Sequence, residues 1–443
     1  MPLGLYISVP FCRTKCSYCN FASDVFSKSA YENYVARLVE DIANSRQLTS
    51  ELGYALGSPL DDTADSIYLG GGTPSILDAA QLLRIFAAVR DHFAVTSDAE
   101  ITVECAPGTL TPALIETLLQ CGVNRVSLGV QSFVDREAQS VGRLHHRSTV
   151  LEEIARLRDA GLTNISIDLI AGLPHQTAES WAFSVSETIA AGVPHVSVYM
   201  LEVDDDSRLG RELIAGGARY HAHFVPDDDT TADFYLQACE MLEAAGIVQY
   251  EISNFARIET QSQNRELLSN QSQHNLKYWT RQPYLGFGVD AHSMLDGMQL
   301  VERRASLQQT QGKLSPVRFA NPDSLDAYMN RAPLTVTPVS EQAAIEENFF
   351  LGLRLNCGID LAGAITALAA EVGRGQRQEF DREATAVWAS AIQQCIHEGL
   401  LEQQGTNLRL TTRGRLLSNE VFARFLTDKA EETKVGTGHV NPR

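Results

Sequence analysis

Six short apolar runs between residues 5 and 201 alternate with longer amphipathic stretches, and this order limits the possible folds strongly. Parallel strands need a crossover of a dozen or more residues, so strand–helix alternation predicts a parallel sheet. Six units predict a partial (βα)6 barrel rather than a complete eightfold one. The predicted strands are Leu5–Val9, Ser66–Leu69, Glu100–Val103, Arg125–Gly129, Ile165–Ile170 and His195–Leu201. The predicted helices are Tyr31–Arg46, Ala79–His92, Pro112–Cys121, Ser148–Ala160 and Ala178–Ala191.

The pattern changes after the barrel and predicts a second, mostly helical module. We assign residues 1–255 to the barrel, 256–330 to a linker region, 331–427 to a C-terminal module and 428–443 to a disordered tail. The module is predicted to be winged-helix-like. It contains two helices, Glu341–Leu355 and Thr385–Glu398, a short hairpin of Gly399–Glu402 with Leu408–Thr411, and a last helix, Gly414–Leu426. Three polar segments are predicted as loops or linkers: Asn44–Asp65, Arg257–Gln273 and Ala305–Asp323.

Charge and cysteine usage narrow the class of protein. The 443 residues include 36 basic and 55 acidic side chains, a formal charge of −19, which disfavours a nucleic-acid partner. Only three of the 8 cysteines cluster, so we expect a reduced, cytoplasmic protein without structural disulfides. We find no signal peptide and no apolar stretch of about 20 residues, the length that spans a bilayer. Peripheral membrane contact and the oligomeric state stay open.

The clustered cysteines, Cys12, Cys16 and Cys19, have the spacing C-x3-C-x2-C. Thiolate sulfur suits iron–sulfur clusters and zinc. Structural zinc sites usually take four protein ligands in two separated pairs, and no second pair follows here. Three thiolates can instead hold three corners of a four-iron cluster, which leaves one iron open to another ligand. Zinc remains the alternative from the spacing alone.

Several polar residues fall where the predicted parallel strands end. Gly70–Thr73 follows the second strand, Glu104 ends the third, Gln131 follows the fourth and Asp168 lies on the fifth. Chemistry in βα barrels collects at the carboxyl ends of the strands. These residues are therefore candidates for one site.

The cysteine loop, with Tyr18 before its last cysteine, resembles that of the radical S-adenosylmethionine (SAM) superfamily. In that superfamily the amino and carboxylate groups of SAM chelate the open iron, and an electron from the cluster cleaves SAM to a 5′-deoxyadenosyl radical. The resemblance implies a [4Fe-4S] cluster and SAM as cofactors. It also accounts for the missing fourth ligand.

Longer motifs are similar to one branch, the oxygen-independent coproporphyrinogen III oxidases and the related HemW-type heme chaperones. They extend from residue 5 to about residue 425. The most specific are Gly71-Gly72-Thr73-Pro74-Ser75, Gly129-Val130-Gln131-Ser132-Phe133, Gly142-Arg143-Leu144-His145, Gly172-Leu173-Pro174 and Tyr250-Glu251-Ile252-Ser253-Asn254-Phe255-Ala256.

Carried over by position, the resemblance implies a SAM site of eight residues: Tyr6, Gly71, Gly72, Thr73, Glu104, Gln131, Arg143 and Asp168. Tyr6 would lie near the cluster, and the glycine segment would contact the methionine end. Glu104 would accept from an ammonium or hydroxyl donor. Arg143 suits a carboxylate, and Gln131 and Asp168 suit the ribose hydroxyls.

Three features favour the chaperone over the oxidase. The oxidases carry a cysteine two positions after the third cluster ligand, where this chain has Phe21, and they have a longer segment before the cluster. The string from His274 to Trp279, H-N-x-x-Y-W, resembles the heme-associated motif of the chaperones. The resemblance implies that His274 ligates heme iron, that Tyr278 and Trp279 cover the porphyrin, and that heme passes to respiratory apoproteins.

Alternatives stay open at this point. The chain could be a coproporphyrinogen oxidase or another radical SAM enzyme of tetrapyrroles, and His145, His146 and His292 are other candidate heme ligands. Two positions depart from the family pattern. Ser8 replaces a histidine, which bears on radical chemistry but not on cluster binding, and Asp290 stands where glycine is common.

Overall fold

A computed structural model describes residues 1–52, 63–258, 270–295, 316–361 and 388–426. Their contacts form two compact units. The first contains Met1–Gln249, Ser253–His274 and Pro283–Thr337, and the second contains Tyr250–Ile252, Asn275–Gln282 and Pro338–Arg443. The domain boundaries at residues 255, 330 and 427 stay predictions. The predicted disordered tail, 428–443, lies outside the described residues.

The first unit is built on one large mixed sheet with the order β12-β11-β10-β9-β1-β2-β3-β4-β5-β6-β8-β7. Its strands are β1 Leu3–Val9, β2 Thr63–Gly71, β3 Ala94–Cys105, β4 Arg125–Gln131, β5 Ile165–Ala171, β6 His195–Met200, β7 Ile247–Gln249, β8 Asn254–Arg257, β9 Tyr284–Phe287, β10 His292–Leu295, β11 Val317–Ala320 and β12 Thr335–Pro338. Strands β1 to β6 are neighbours in chain order and all run parallel. The predicted (βα)6 arrangement is confirmed.

Helices connect the parallel strands as the alternation predicts. In the first unit the α-helices are Lys28–Ala43, Ser45–Glu51, Ala79–His92, Pro112–Gln120, Asp135–Ser140, Arg147–Asp159, Ala178–Ala190, Arg208–Ala215, Asp228–Ala244 and Leu325–Met329, with 3-10 turns at Pro74–Ile76 and Ala222–Phe224. A further helix, Gln273–Trp279, begins in this unit. None of the described helices has the length and hydropathy that a bilayer-spanning segment needs.

Two segments that we predicted to be irregular contain regular structure. Asn44–Asp65 includes the helix Ser45–Glu51 and the start of β2, while 53–62 lies outside the described residues. Ala305–Asp323 includes β11, which pairs antiparallel with β10 and buries Val317 and Phe319. Four residues of alternating polarity are too short a signal without the partner strand. Of Arg257–Gln273, 259–269 lies outside the described residues.

The six parallel strands alternate in polarity, which gives the sheet one apolar and one polar face. Side chains of the apolar face are buried: Leu5, Ile7, Val9, Ile67, Leu69, Ile101, Val103, Val126, Leu128, Ile165, Ile167, Leu169, Val196 and Val198. The intervening positions hold Tyr6, Ser8, Ser66, Tyr68, Thr102, Glu104, Ser127, Ser166, Asp168, Ser197 and Tyr199. Strands buried on both faces usually read as continuous apolar runs, so this alternation indicates a polar interior.

The sheet is curved around this polar face. Tyr68 lies on β2 and Tyr199 lies on β6, and four strand spacings would separate them by about 19 Å in a flat sheet. Tyr199 nevertheless lies close enough to Tyr68 to affect its pKa, which burial and the Glu104 and Asp168 carboxylates raise more strongly. The polar face is therefore concave.

The second unit has its own core and a small antiparallel sheet. Its elements are the helix Glu341–Gly352, helical residues 388–397, strands β13 Ile359–Asp360, β14 Leu401–Gln404 and β15 Asn407–Leu410, and helices Thr412–Leu416 and Ser418–Ala423. Strand β15 lies between β13 and β14. The mostly helical module with a hairpin is confirmed, but the single last helix predicted over Gly414–Leu426 is two short helices. Residues 385–387 of another predicted helix lie outside the described residues.

The core of the second unit is apolar and includes a ring pair. Phe349 and Phe425 stack with centroids 4.6 Å apart. Around them lie buried side chains of the helices and the hairpin: Ile252, Ile345, Leu353, Trp388, Ala391, Ile392, Cys395, Leu400, Leu401, Leu408, Leu410 and Val421. This unit therefore buries an apolar core of its own.

Trp181 provides a test of packing in the first unit. Its side chain is fully buried, and its indole N–H donates to the Phe234 carbonyl at 2.6 Å. We expect Trp181→Ala to lower the free energy of unfolding by about 3 to 5 kcal/mol through the cavity it leaves. Phe183→Ala, on the same helix but 43% exposed, should cost much less. Urea denaturation followed by circular dichroism measures both, and equal losses would contradict the packing described here.

Candidate functional site

The cysteine loop follows β1 directly and is held by backbone hydrogen bonds at both ends. The Cys12 N–H donates to the Asp24 carbonyl at 3.0 Å, and the Asp24 N–H donates to Pro10 at 3.0 Å. In the middle of the loop, the Ser17 N–H donates to Val141 at 3.1 Å, and its carbonyl accepts from Leu209 at 2.8 Å. The loop thus has a defined backbone at the carboxyl end of the sheet.

The three thiols lie close enough to influence one another. Burial raises the pKa of Cys12, hydrogen bonds from Ser23 and Thr73 lower it, and the Cys19 and Cys16 thiolates raise it again. Repulsion among three thiolates favours the protonated forms, so a cationic centre is needed to hold all three deprotonated. The chemistry of this donor set fits a cluster of iron and sulfide.

The described residues contain no group of three or more His, Cys, Asp or Glu side chains arranged to hold one metal ion. A cubane cluster presents a separate iron to each thiolate, so its ligands need not meet at one point. The closeness of the three thiols and the absence of a single-ion site among the described residues are therefore both compatible with the cluster that the spacing predicts.

The glycine segment lies against the start of the cysteine loop. The Gly72 N–H donates to Val9 and the Thr73 N–H donates to Phe11, both at 2.8 Å, which extends the pairing of β1 with β2 beyond the strand ends. A Cβ atom on Gly72 would lie 2.7 Å from both of these carbonyl oxygens. The Thr73 hydroxyl donates to the Cys12 sulfur at 3.8 Å.

The predicted carboxylates are oriented by hydroxyl groups of neighbouring strands. The Tyr68 hydroxyl donates to Glu104 at 2.9 Å, and the Ser127 hydroxyl lies 3.2 Å from both oxygens of Asp168. Burial, with the charges of Glu104 and Asp168 next, raises the pKa of Tyr68 well above its ordinary value. Tyr68 is therefore a neutral donor, and the two carboxylates carry the negative charge.

Gln131 ends β4 in an unusual backbone conformation. Its φ is +68°, in the left-handed region, and the β4–β5 register shifts between Gly129 and Gln131. Irregularities of this kind often re-aim a side chain beside a functional site. The side-chain oxygen of Gln131 is buried and has no hydrogen-bond partner within the described residues. Such an acceptor fits a ligand hydroxyl.

Arg143 joins this group from the loop after β4. Its guanidinium donates to the Gly129 carbonyl and lies 3.7 Å from the Cys16 sulfur. Burial lowers the pKa of Arg143 and is the largest single effect, but the Cys16 thiolate, Tyr18 and the Cys12 thiolate together outweigh it, so the pKa is raised. A permanent cation therefore lies between the cysteine loop and β4.

His274 lies on the polar face of the sheet, deeper than the carboxylates. Its Nδ1 is 3.0 Å from the Ser66 hydroxyl, and its backbone N–H donates to Glu100 at 3.1 Å. The imidazole stacks with Tyr68 at 5.4 Å and with Tyr6 at 6.4 Å between centroids. It is 1% exposed, so a ligand can reach its ring only after a rearrangement.

The rest of the H-N-x-x-Y-W string belongs to the second unit. Tyr278 and Trp279 are both buried, and the Arg354 guanidinium lies 4.2 Å from the centroid of the Trp279 ring. Arg354 also pairs with Glu251 at 3.5 Å. The two aromatic rings are part of a packed structure within this unit.

The other candidate histidines differ in environment. His145 is buried, with its Nε2 3.1 Å from the Val130 carbonyl, and burial lowers its pKa to about 4. His146 is exposed and pairs with Asp135 at 2.7 Å, and His292 lies 3.8 Å from Asp290. Of these three imidazole rings, that of His145 therefore has its Nε2 in a hydrogen bond with a backbone carbonyl.

The structure describes the contacts of Ser8 and the backbone of Asp290, the two positions that depart from the family pattern. The Ser8 carbonyl accepts from Tyr34 at 2.6 Å, and the Ser8 hydroxyl lies next to Gly71. Asp290 has φ +56°. Aspartate is one of the few residues besides glycine that tolerates this left-handed conformation, which accounts for the exchange.

Sequence reasoning missed the residues that orient the site. Tyr68, Ser127 and Ser66 contact Glu104, Asp168 and His274 respectively, and none was a candidate. Each occupies a polar position between apolar neighbours on its strand. The period-two alternation was the signal that could have identified them.

Comparison with known proteins adds family evidence. The sequence profile of the radical SAM superfamily matches residues 6–185, and that of the HemN C-terminal domain matches residues 339–417. The heme chaperone HemW of Lactococcus lactis is 30% identical over 431 residues, which cover 96% of this chain and 98% of that protein. HemW of Bacillus subtilis is 30% identical over 95% of this chain and 98% of its own length.

A solved structure agrees with the fold. Coproporphyrinogen III oxidase (HemN) from Escherichia coli matches with a TM-score of 0.75, covering 96% of this chain and 90% of that chain. The two sequences are 22% identical, so this likeness shows the α/β radical SAM fold with its mostly helical C-terminal module and nothing finer.

Gly72 tests the contact between the glycine segment and the cysteine loop. We expect Gly72→Ala to lose most of the bound iron and sulfide after anaerobic reconstitution, because the new methyl group would displace Val9 and Phe11. Gly161→Ala is the control: it adds the same methyl group, even at a backbone φ of +90°, but nothing lies within 4 Å of its Cβ position. It should keep full cluster content. Equal iron content in both variants would show that the contact is unimportant.

Proposed function

Because the chain belongs to the family of the heme chaperone HemW, we propose that it binds a [4Fe-4S] cluster, SAM and heme, and delivers heme to respiratory apoproteins in the cytoplasm or at its membrane face. The observation that carries this proposal is the match to HemW proteins over nearly the full length of both chains. Phe21, in place of the additional cysteine of the oxidases, also supports the chaperone.

The cluster would be held by Cys12, Cys16 and Cys19. The chemistry that a reduced cluster supplies in this superfamily is one-electron reduction of SAM. The surrounding residues have separable roles: the Thr73 hydroxyl donates to one thiolate, and Arg143 offsets the charge of another. Both interactions stabilise the deprotonated ligands.

The SAM site would use the polar groups at the strand ends. Gly71 and Gly72 would present their backbone groups to the methionine end, and Arg143 would attract its carboxylate. Glu104, held by Tyr68, would accept from the ammonium group. Asp168 and Gln131 would accept hydrogen bonds from the ribose hydroxyls. Tyr6 pairs with Tyr68, two positions before Gly70 on β2, and therefore lies on the same face close to the glycine segment.

Heme would be ligated by His274, the imidazole in the string that resembles the chaperone motif. Ligation requires the ring to leave Ser66 and the stack with Tyr68. Heme binding should therefore be slower than diffusion and should change the environment of Tyr6 and Tyr68.

Gln131 tests the SAM assignment apart from heme. We expect Gln131→Met to weaken SAM binding about tenfold, which is the loss of one hydrogen bond to a hydroxyl. The thermal midpoint should not fall, because the replaced oxygen has no partner in the described structure. Isothermal titration with SAM and a thermal melt measure the two quantities. A lower midpoint with unchanged affinity would assign Gln131 a structural role.

Heme titration and porphyrinogen turnover test the function itself. We expect the reconstituted protein to bind one heme with a shifted Soret band, to lose that shift in His274→Ala, and to leave coproporphyrinogen III plus SAM unconverted. Tyr278→Phe is a matched control in the same string and should retain the shift. Vinyl product with 5′-deoxyadenosine would identify an oxidase, and an unchanged spectrum with heme would refute the chaperone.

A further inference from the structure

We propose that a surface at one end of the barrel, formed by residues 208–224 together with Arg136 and His175, is the docking site for the propionate edge and macrocycle of heme. We name it the arginine–histidine surface. The inference rests on the proposed heme function and adds a second site to it. Since His274 is buried, heme arriving from solvent needs an exposed surface that binds it first.

A buried carboxylate fixes the shape of this surface. Glu212, on the helix Arg208–Ala215, accepts the Tyr220 N–H at 2.8 Å and the Ala222 N–H at 3.1 Å. The loop after the helix is therefore held back against it. Because both carboxylate oxygens of Glu212 accept hydrogen bonds from backbone N–H groups, Glu212 does not pair with the arginines around it.

Three arginines line an open groove of about 520 Å³ beside this helix, together with Tyr220. Arg208 donates to the Lys15 carbonyl of the cysteine loop at 3.1 Å, and the Arg219 guanidinium lies 5.4 Å from the Tyr220 ring centroid. Neither Arg211 nor Arg219 pairs with a carboxylate of the described residues. On a chain of charge −19, arginines without carboxylate partners indicate an anionic ligand.

A second open groove of about 460 Å³ is lined by Arg136, His175, His221 and Phe224, and His221 directly follows Tyr220 of the first groove in the chain. The Arg136 guanidinium is 3.3 Å from His175 Nδ1, and His175 Nε2 is 3.4 Å from His221 Nδ1. A guanidinium can only donate, so His175 Nδ1 accepts and its Nε2–H donates to His221. Neutral His221 then carries its proton on Nε2, as a donor.

The backbone at both histidines is in a sparsely populated conformation. His175 has φ +70° and His221 has φ +60°, both in the left-handed region that side chains other than glycine seldom adopt. Strained positions of this kind cluster at binding sites. The two grooves therefore offer hydrogen-bond donors to a carboxylate rather than an iron ligand.

The same segment exposes apolar side chains, and one of them, Phe224, lines the second groove. Leu213 is 55% exposed, Ile214 is 68% exposed and Phe224 is 45% exposed. Heme is a flat apolar ring with two carboxylates on one edge. Arginine and histidine donors on a segment that also exposes Leu, Ile and Phe match both parts of such a ligand. An anionic lipid surface would share the charge, but the two grooves and the directed histidine pair favour a compact dicarboxylate.

The test separates carboxylate recognition from iron ligation by using iron-free porphyrins. The full chain with its cluster is titrated with protoporphyrin IX and with its dimethyl ester. We expect the acid to bind more tightly than the ester, and R211Q/R219Q to weaken binding of the acid about tenfold while leaving the ester unchanged. The control R84Q/R331Q also removes two exposed arginines, which pair with Glu32 and Glu40, and should bind both like the unaltered chain.

Each other outcome has a defined meaning. Equal affinities for acid and ester, or unchanged affinity for the acid in R211Q/R219Q, would overturn the docking site. Loss of sedimentation with phosphatidylglycerol vesicles in that variant, without loss of porphyrin binding, would assign the surface to lipid and overturn the proposal. If the docking site is overturned but the unaltered chain still shifts the Soret band on heme titration, the proposed chaperone function is not contradicted. If the unaltered chain binds no heme, the proposed function itself is refuted.

Discussion

The parallel pairing of β1 with β2 is the interaction on which the candidate site depends. It continues past the ends of both strands, where Gly72 and Thr73 donate to the carbonyls of Val9 and Phe11. The glycine segment and the cysteine loop are therefore parts of one hydrogen-bonded ladder and not two independent loops. Only glycine allows so close an approach at residue 72, since a side chain there would meet two backbone oxygens.

The polar face of the sheet creates a second constraint, because buried polar groups need partners. Most find them across strands: Tyr68 with Glu104, Ser127 with Asp168, and Ser66 with His274. The side-chain oxygen of Gln131 does not find one among the described residues. The Thr102 hydroxyl on the same face also has no partner among them, but Gln131 lies at the strand end near the carboxylates and offers an acceptor there. The buried His274 belongs to the same network, so its imidazole is kept from solvent by the groups that satisfy it.

The sequence predicted the order of the parallel strands because that order depends on local patterns, and the proposed cluster ligands come from a local spacing in the same way. The helix Ala79–His92 begins and ends where its periodicity places it. Strand β11 and the helix Ser45–Glu51 were missed, since a four-residue strand and a seven-residue helix owe their stability to tertiary partners. The burial of His274 and the hydrogen bonds of His175 with Arg136 connect residues far apart in the chain, and no local pattern encodes such contacts.

The neutral Tyr68 has a consequence for the charge inside the barrel. Since the phenol keeps its proton, the negative potential there comes from Glu104 and Asp168, and it acts in surroundings that screen it poorly. A molecule with a sulfonium centre is held more firmly in such a field than a thioether of the same shape. An interior of this charge would favour a cationic ligand over a neutral one of the same shape, and loss of the ligand's charge would remove that preference.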